Sequence, residues 1–386
     1  MGEFIGRGRK ARRCYGFDEV AIVPGVVTLN PNEVDTSWVL DGKRFRIPIL
    51  ASAMDGVVDV QFAAAFGKMG GLAVLNLEGV QTRYEHPEEV LSRVVKARGD
   101  GATELLQKVY QEPIKEKLIV KRIEEIKRSK VHAAVSAIPQ RAEKFGPIAQ
   151  RAGADVFVVQ STVSTVRHIS SEYKSLDLPG FCKRMKIPVI VGNCVTYRVA
   201  LELMESGSSA ILVGIGPGAA CTTRGVLGLG VPQVTATVDC AAARDVHHKK
   251  TKRYVPIITD GGMRTGGDVC KAFASGADAV MIGSPFARAK EAPGKGYHWG
   301  MATPHANLPR GTRIHVGISG TLEEILYGPA RRDDGTQNLM GALMTAMGSV
   351  GARTLKQFQK TEIIIAPSIQ TEGKLLQRAQ GVGMGT

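Results

Sequence analysis

Residues 213–225 read VGIGPGAACTTRG and end on a cysteine, Cys221, followed by two threonines and Arg224. A thiolate suits addition to an electron-poor carbon, and nearby N–H dipoles or a cation favour that ionised form. Gly214, Gly216 and Gly218 leave backbone groups bare enough for a ligand or ion to approach closely. Cys221 is therefore the candidate nucleophile. The competing reading is a small buried apolar residue, the usual fate of a free cysteine. It is the expected reading for Cys14, Cys182, Cys194, Cys240 and Cys270, whose spacing contains no CxxC or zinc-ligand pattern.

Two further loops carry glycines between a strand-like run and a helix-like run: TDGGMRTGGD (259–268) and IGSPFA (282–287). Such turns present backbone N–H groups to anions, so Gly261, Gly262, Gly283 and Ser284 are expected to cradle a phosphate, with Asp260 accepting from a ribose hydroxyl. Ser52, Met54, Asp55, Asn76, Gln160, Ser161, Thr162 and Asn193 follow other strand-like runs and would meet at the same place.

For these loops to meet, the runs between them must form one scaffold. Eight short, nearly continuous apolar runs recur, at 47–51, 72–75, 131–135, 155–159, 187–191, 210–213, 256–259 and 278–282. Continuous apolarity is the pattern of strands buried on both faces. Helical spacing fills the intervals 58–69, 139–152, 197–206, 231–246 and 267–275, and Gly70, Gly153, Gly207 and Gly276 stand where helices would stop. The expected fold is an α/β (β/α)8 TIM barrel, a single domain over 1–386 whose strand-end loops gather at one mouth. A doubly wound sheet is the alternative, without a GxGxxG opening a first unit.

The charged stretch 77–130 is expected as an elaboration, with a helix starting at Pro113 and Ile114, Leu118, Ile123 and Ile126 on one face. Residues 288–325 are a candidate active-site flap. Residues 326–386 form a C-terminal extension containing a strand-like EIIIAP.

A length of 386 residues with 44% hydrophobic and 22% charged residues excludes disordered and collagenous classes, and no 18-residue apolar run offers a membrane span. The N-terminus is basic but lacks the apolar stretch of a secretory signal, so a cytoplasmic location is expected. Fifty basic against 36 acidic residues give a net charge of +14, a field that concentrates anionic ligands. The basic clusters at 7–13 and 247–253 carry no interleaved stacking aromatics, so nucleic acid is not the expected partner.

Together, ASAMD (51–55), VGN (191–193), VGIGPGAACTTRGVLGLGVPQ (213–233), DGGMRTGGD (260–268) and GADAVMIGSPFA (276–287) resemble the IMP dehydrogenase and GMP reductase family, from about Asp18 to Gly373. The resemblance implies a homo-oligomer, a tetramer or octamer, acting on a purine nucleoside monophosphate. It implies that Cys221, assisted by Thr223, attacks C2 of the purine while a hydride passes to or from a nicotinamide. Ser52, Met54, Asp260, Gly261, Gly262, Gly283, Ser284, Tyr297, Gly300 and Met301 would hold the nucleotide. Gln160, Ser161, Thr162, Asn193 and Gly214 would face the dinucleotide.

GVPQ (230–233) and SIQTEGK (368–374) resemble the dehydrogenase branch, which implies NAD as cofactor and IMP oxidised to XMP for guanine nucleotide synthesis. They also imply a potassium site of Gly216, Gly218 and Cys221 carbonyls, completed by Glu372 and Gly373 of a neighbouring subunit. The sequence departs from the family at Ala219 (usually serine), Gln160 (commonly aspartate) and Val316 (usually Gln or Glu). Tyr297 or His298 takes the place of a usual tyrosine, and Arg310 or Arg313 is the candidate for water activation. The 54 residues between Asn76 and Val131 leave no room for the family's regulatory insertion. GMP reductase, a flavin-dependent barrel oxidoreductase and a non-catalytic nucleotide or nucleic-acid binder remain the alternatives.

Overall fold

The computed structural model describes residues 2–98, 101–300, 313–369 and 373–383. Eight parallel strands close into a barrel: β1 Ile49–Ala51, β2 Leu72–Asn76, β3 Ala134–Ala137, β4 Val156–Gln160, β5 Val189–Cys194, β6 Ala210–Val213, β7 Ile257–Asp260 and β8 Ala279–Ile282. Each pairs with its sequence neighbours, and β8 closes on β1 through Val280↔Ile49, Met281↔Leu50 and Ile282↔Ala51. This is the expected (β/α)8 barrel. Residues 189–191, 210–213 and 279–282 are all buried, since helices cover the outer face and side chains fill the inner one.

The third strand lies later than its apolar run suggested. Its ladder to β2 pairs Val74, Leu75 and Asn76 with Ala134, Val135 and Ser136, so the strand includes a serine and excludes Val131 and His132. Ser136 reads as loop in the sequence, yet it is buried at the mouth of the barrel.

The helices between strands are α1 Val60–Lys68, α2 Pro87–Lys96, α3 Gly101–Gln111, α4 Glu116–Arg128, α5 Pro139–Arg151, α6 Leu178–Arg184, α7 Tyr197–Glu205, α8 Thr223–Leu227, α9 Gln233–Thr251, α10 Gly266–Ala274 and α11 Ser284–Ala287. The glycine stops follow α1 and α10 with φ of 100° at Gly70 and 109° at Gly276, a conformation that a Cβ disfavours. Helix α9 runs past 246 to Thr251, so His248, Lys249 and Lys250 sit in its last turn, where cations complement the helix dipole.

Residues 77–130 divide in two. Helix α4 packs Leu118, Ile119, Ile123 and Ile126 inward, against α1 and α5, as a barrel helix; it starts at Glu116 rather than Pro113. Helices α2 and α3 instead build a second apolar cluster of Val80, Val90, Leu91, Val94, Leu106, Val109 and Trp299. After β8, Tyr297–His298 pairs antiparallel with Ile314–His315. The strand-like EIIIAP supplies Ile363–Ile365, which pairs antiparallel with Val20–Ile22. Among the described residues no helix is long and apolar enough to cross a membrane.

Candidate active site

A cavity of about 890 Å³ opens at the strands' C-terminal ends, large for a small-molecule site. The cysteine loop leaves β6 at Gly214, where φ is 151° and an added Cβ would lie 2.3 Å from the Asp260 carbonyl oxygen. Only glycine lets the chain pass there. The loop then turns, with the Cys221 N–H donating to the Gly218 carbonyl at 3.0 Å. Cys221 Sγ lies 3.1 Å from Thr223 Oγ1, and Thr223 is itself buried.

Of the six cysteines Cys221 is the exposed one. Burial pushes the Cys182 thiol up to about 11 and the Cys270 thiol up to about 12, which removes both as nucleophiles near neutral pH.

Asp260, at the end of β7, faces the same cavity. Its Oδ2 accepts from Asn193 Nδ2 at 2.8 Å and Gln160 Nε2 at 3.0 Å, while Oδ1 has no protein partner among the described residues. Burial raises its carboxyl to about 6, against the lowering effect of the two amide donors. Gly261 and Gly262, with φ of 82° and 83°, pass under Pro217 of the cysteine loop, where an added Cβ would lie 3.3 Å and 3.0 Å from its ring. A Cβ at Gly283 would come within 3.1 Å of Met54 Sδ. The Gly261–Gly262 loop is thus in direct contact with the cysteine loop, and the Gly283 loop with the Ser52–Met54 segment.

Ser52, Met54, Ser161, Thr162, Gly216, Gly218, Ser284 and Gly300 line the cavity with these residues. Met301, Arg310 and Glu372 lie outside the described residues. Gly373 is exposed with φ of 66° and lies away from the cavity wall. Among the described residues no group of three His, Cys, Asp or Glu side chains is placed to hold a metal.

Two expectations need correction. His298, not Tyr297, faces the cavity, because neighbouring residues on an extended strand point to opposite sides. Its Nε2 lies 3.1 Å from Ser284 Oγ, and burial, with Arg288 nearby, lowers its ring to about 4. Arg313 is not a cavity residue either. Its guanidinium donates to the Val94, Val95 and Ala97 carbonyls at the end of α2 and lies 4.1 Å from the Tyr297 ring centroid.

Residues 14–374 match the family model of the IMP dehydrogenase / GMP reductase domain. The chain belongs to that family. It is 38% identical over 370 residues to an uncharacterized oxidoreductase of Mycolicibacterium smegmatis, covering 94% of this chain and 99% of that protein. It is 31% identical to an inosine-5'-monophosphate dehydrogenase of Borreliella burgdorferi over 401 aligned residues, 90% of this chain and 92% of the relative. An IMP dehydrogenase/GMP reductase-like protein from Corynebacterium glutamicum superposes with a TM-score of 0.88 at 37% identity, covering 94% of this chain and 96% of that one. The chain is a member of an oxidoreductase family on a TIM barrel.

This family member holds its site with residues the motif reading passed over. Gln233 Nε2 donates to the Val213 carbonyl at 2.7 Å and the Asp260 carbonyl at 3.0 Å, tying the ends of β6 and β7 together. Its Oε1 is buried without a partner among the described residues. The signal was its place in GVPQ, read there for branch assignment rather than geometry. Arg288 also lines the cavity, and its guanidinium has no hydrogen-bond or ion-pair partner among the described residues. Its position one turn after a glycine-serine phosphate-type loop was the available signal.

Proposed function

We propose that this family member is an IMP dehydrogenase, oxidising IMP to XMP with NAD and water on the path to guanine nucleotides. The observation that carries this reading is an exposed Cys221 opening onto the same cavity as Asp260, Gly283 and Ser284. The Cys221 thiolate adds to C2 of the purine as the C2=N3 π pair moves onto N3. The N3 pair then re-forms the double bond as the hydrogen at C2 leaves with its electron pair, a hydride for which bound NAD would supply the acceptor. Water adds to C2, the Cys221–C2 bond breaks with its pair returning to sulfur, and XMP with a 2-oxo group leaves.

The protein's part is placement. Asp260 Oδ1 accepts from a ribose hydroxyl, since Oδ2 is held by two amides. Gly283, Ser284 and His298 receive the phosphate. The adjoining stretch of Gln160, Ser161, Thr162, Asn193 and Gly214 suits a nicotinamide riboside, because it offers amide and hydroxyl groups beside an open backbone. Thr223, 3.1 Å from sulfur, exchanges a proton with the thiol. The reading also takes potassium at the Gly216, Gly218 and Cys221 carbonyls and a cytoplasmic homo-oligomer that completes that site.

Incubation of purified protein with IMP and NAD should produce the reduced-nicotinamide absorbance, while GMP with NADPH should leave it unchanged. The opposite result would assign the protein to GMP reduction. Cys221→Ala should lower turnover by about a thousandfold while IMP still binds. Undiminished turnover would remove the mechanism.

A further inference from the structure

The stretch Tyr297–Gly300 alternates between two neighbours. His298 and Gly300 line the cavity, whereas Tyr297 and Trp299 turn away from it. Trp299 is fully buried in the apolar cluster of α2 and α3, and its Nε1 donates to Tyr110 Oη at 2.7 Å. That hydroxyl in turn donates to Asp55 Oδ2 at 2.6 Å, and Asp55 Oδ2 also accepts from the Val80 N–H at 2.8 Å. Asp55 follows directly on Ser52 and Met54 of the cavity wall.

The returning strand is held by the same helical pair. Arg313 donates to the Val95 carbonyl at 2.8 Å and the Ala97 carbonyl at 2.5 Å, and also to Val94. These are carbonyls that a helix end leaves without intrahelical partners. Tyr297 lies between this guanidinium and the His315 ring, at 4.1 Å and 4.4 Å. Val316, next along, lines the cavity and donates its N–H to the Gly296 carbonyl.

From this arrangement we infer that the helical pair α2–α3 is a positioning device for the nucleotide. Tyr110 and Arg313 fix one face of the Tyr297–Gly300 and Arg313–Val316 segments, so that His298, Gly300 and Val316 on the other face stand correctly against IMP. Neither Tyr110 nor Arg313 touches the nucleotide; each acts through the strand it holds. The inference rests on the cavity being the IMP site.

The chain contains two tryptophans, Trp38 and Trp299. Trp38→Phe leaves Trp299 as the sole reporter, and it removes a buried N–H that lacks a partner among the described residues. In that background IMP alone should change the Trp299 emission. Tyr110→Phe, which keeps the ring in the cluster but removes the acceptor of the Trp299 N–H, should shift the emission to shorter wavelength and raise the KM for IMP about fivefold, with kcat changed less. Arg313→Gln should move KM in the same direction without touching the apolar cluster. The inference falls if both variants keep the parent's KM for IMP and Tyr110→Phe keeps the Trp299 response, even where melting temperature drops. If IMP and NAD give no turnover in any variant, yet Tyr110→Phe weakens the IMP-induced emission change, the positioning role stands and the dehydrogenase reading fails.

Discussion

Asp260 and Asp278 lie one strand apart and at opposite ends of the barrel, and they are treated oppositely. Asp278 precedes β8 at the base. Its two oxygens accept from Arg244 Nη1 at 2.8 Å, Tyr254 Oη at 2.7 Å, the Ile257 N–H at 2.9 Å, Gln359 Nε2 at 3.0 Å and Lys356 Nζ at 2.5 Å. Asp260 ends β7 at the mouth and has two donors, both on one oxygen. At the base every lone pair is used, which fixes strands to helices. At the mouth an acceptor is left open, together with His298 Nδ1 and Gln233 Oε1, both buried without partners among the described residues. Buried polar atoms are costly unless satisfied, so these two on cavity-lining residues mark where a ligand can complete the structure, whereas Trp38 Nε1, Ser319 Oγ and Gln377 Oε1, also without partners among the described residues, belong to side chains outside the cavity wall.

The largest effect belongs to the base. Asp278→Ala leaves the buried Arg244 with only the exposed Asp245 and the Gly276 carbonyl, and should lower stability by about 3 kcal/mol. Urea unfolding measures this, and the folded fraction should keep its KM for IMP. A variant with normal stability and damaged catalysis would show that the base is not merely structural.

The mouth should respond the other way. Asp260→Asn places an amide oxygen toward Gln160 and Asn193 and an NH₂ toward the cavity. The acceptor proposed for a ribose hydroxyl becomes a donor, and the KM for IMP should rise roughly thirtyfold, about 2 kcal/mol. Stability at pH 7 should not fall, because a buried carboxylate whose pKa is raised weakens the folded state wherever it is ionised. The same substitution predicts the pH profile. As pH falls through about 6 the wild-type Asp260 gains a proton, which must sit on Oδ1 because Oδ2 faces two N–H donors. The KM of the wild type should therefore rise on the acid side while that of Asp260→Asn stays flat. A parallel rise in both would place the titration on another group.

The sequence makes the base and the mouth legible to different degrees. The eight apolar runs predict the barrel because burial on both faces leaves only one pattern, and glycines at 214, 261 and 262 are visible because their positive φ and close approaches disfavour a Cβ. The partition of α2 and α3 from α4 is not visible. All three are amphipathic, and what separates them is which cluster receives the apolar face, a non-local fact. Tyr297 and His298 show the same limit at smaller scale. A two-residue strand is too short to carry an alternation signal, so only the pairing with Ile314–His315 decides which side chain faces the cavity. Arg313 reads as catalytic by proximity in sequence to the flap, but its carbonyl partners lie more than 200 residues away.

Arg288 gives the smallest and most specific test of the mouth. Arg244 at the base is paired and buried; Arg288 is partly exposed, lines the cavity near His298 and makes no side-chain hydrogen bond among the described residues, acting only through its charge on Asp334 and His298. A cation in that state gains from an anion arriving in the cavity and contributes little to the unliganded fold. Arg288→Gln should leave the melting temperature within a few degrees and raise the KM for IMP about fivefold, near 1 kcal/mol, since a half-exposed charge is screened by solvent. Inosine lacks the phosphate, so its weaker binding should not change. The wild-type KM for IMP should also rise with salt more steeply than that of the variant, because only the wild type has this charge to screen. Equal losses for IMP and inosine would mean that Arg288 shapes the cavity rather than meeting the phosphate.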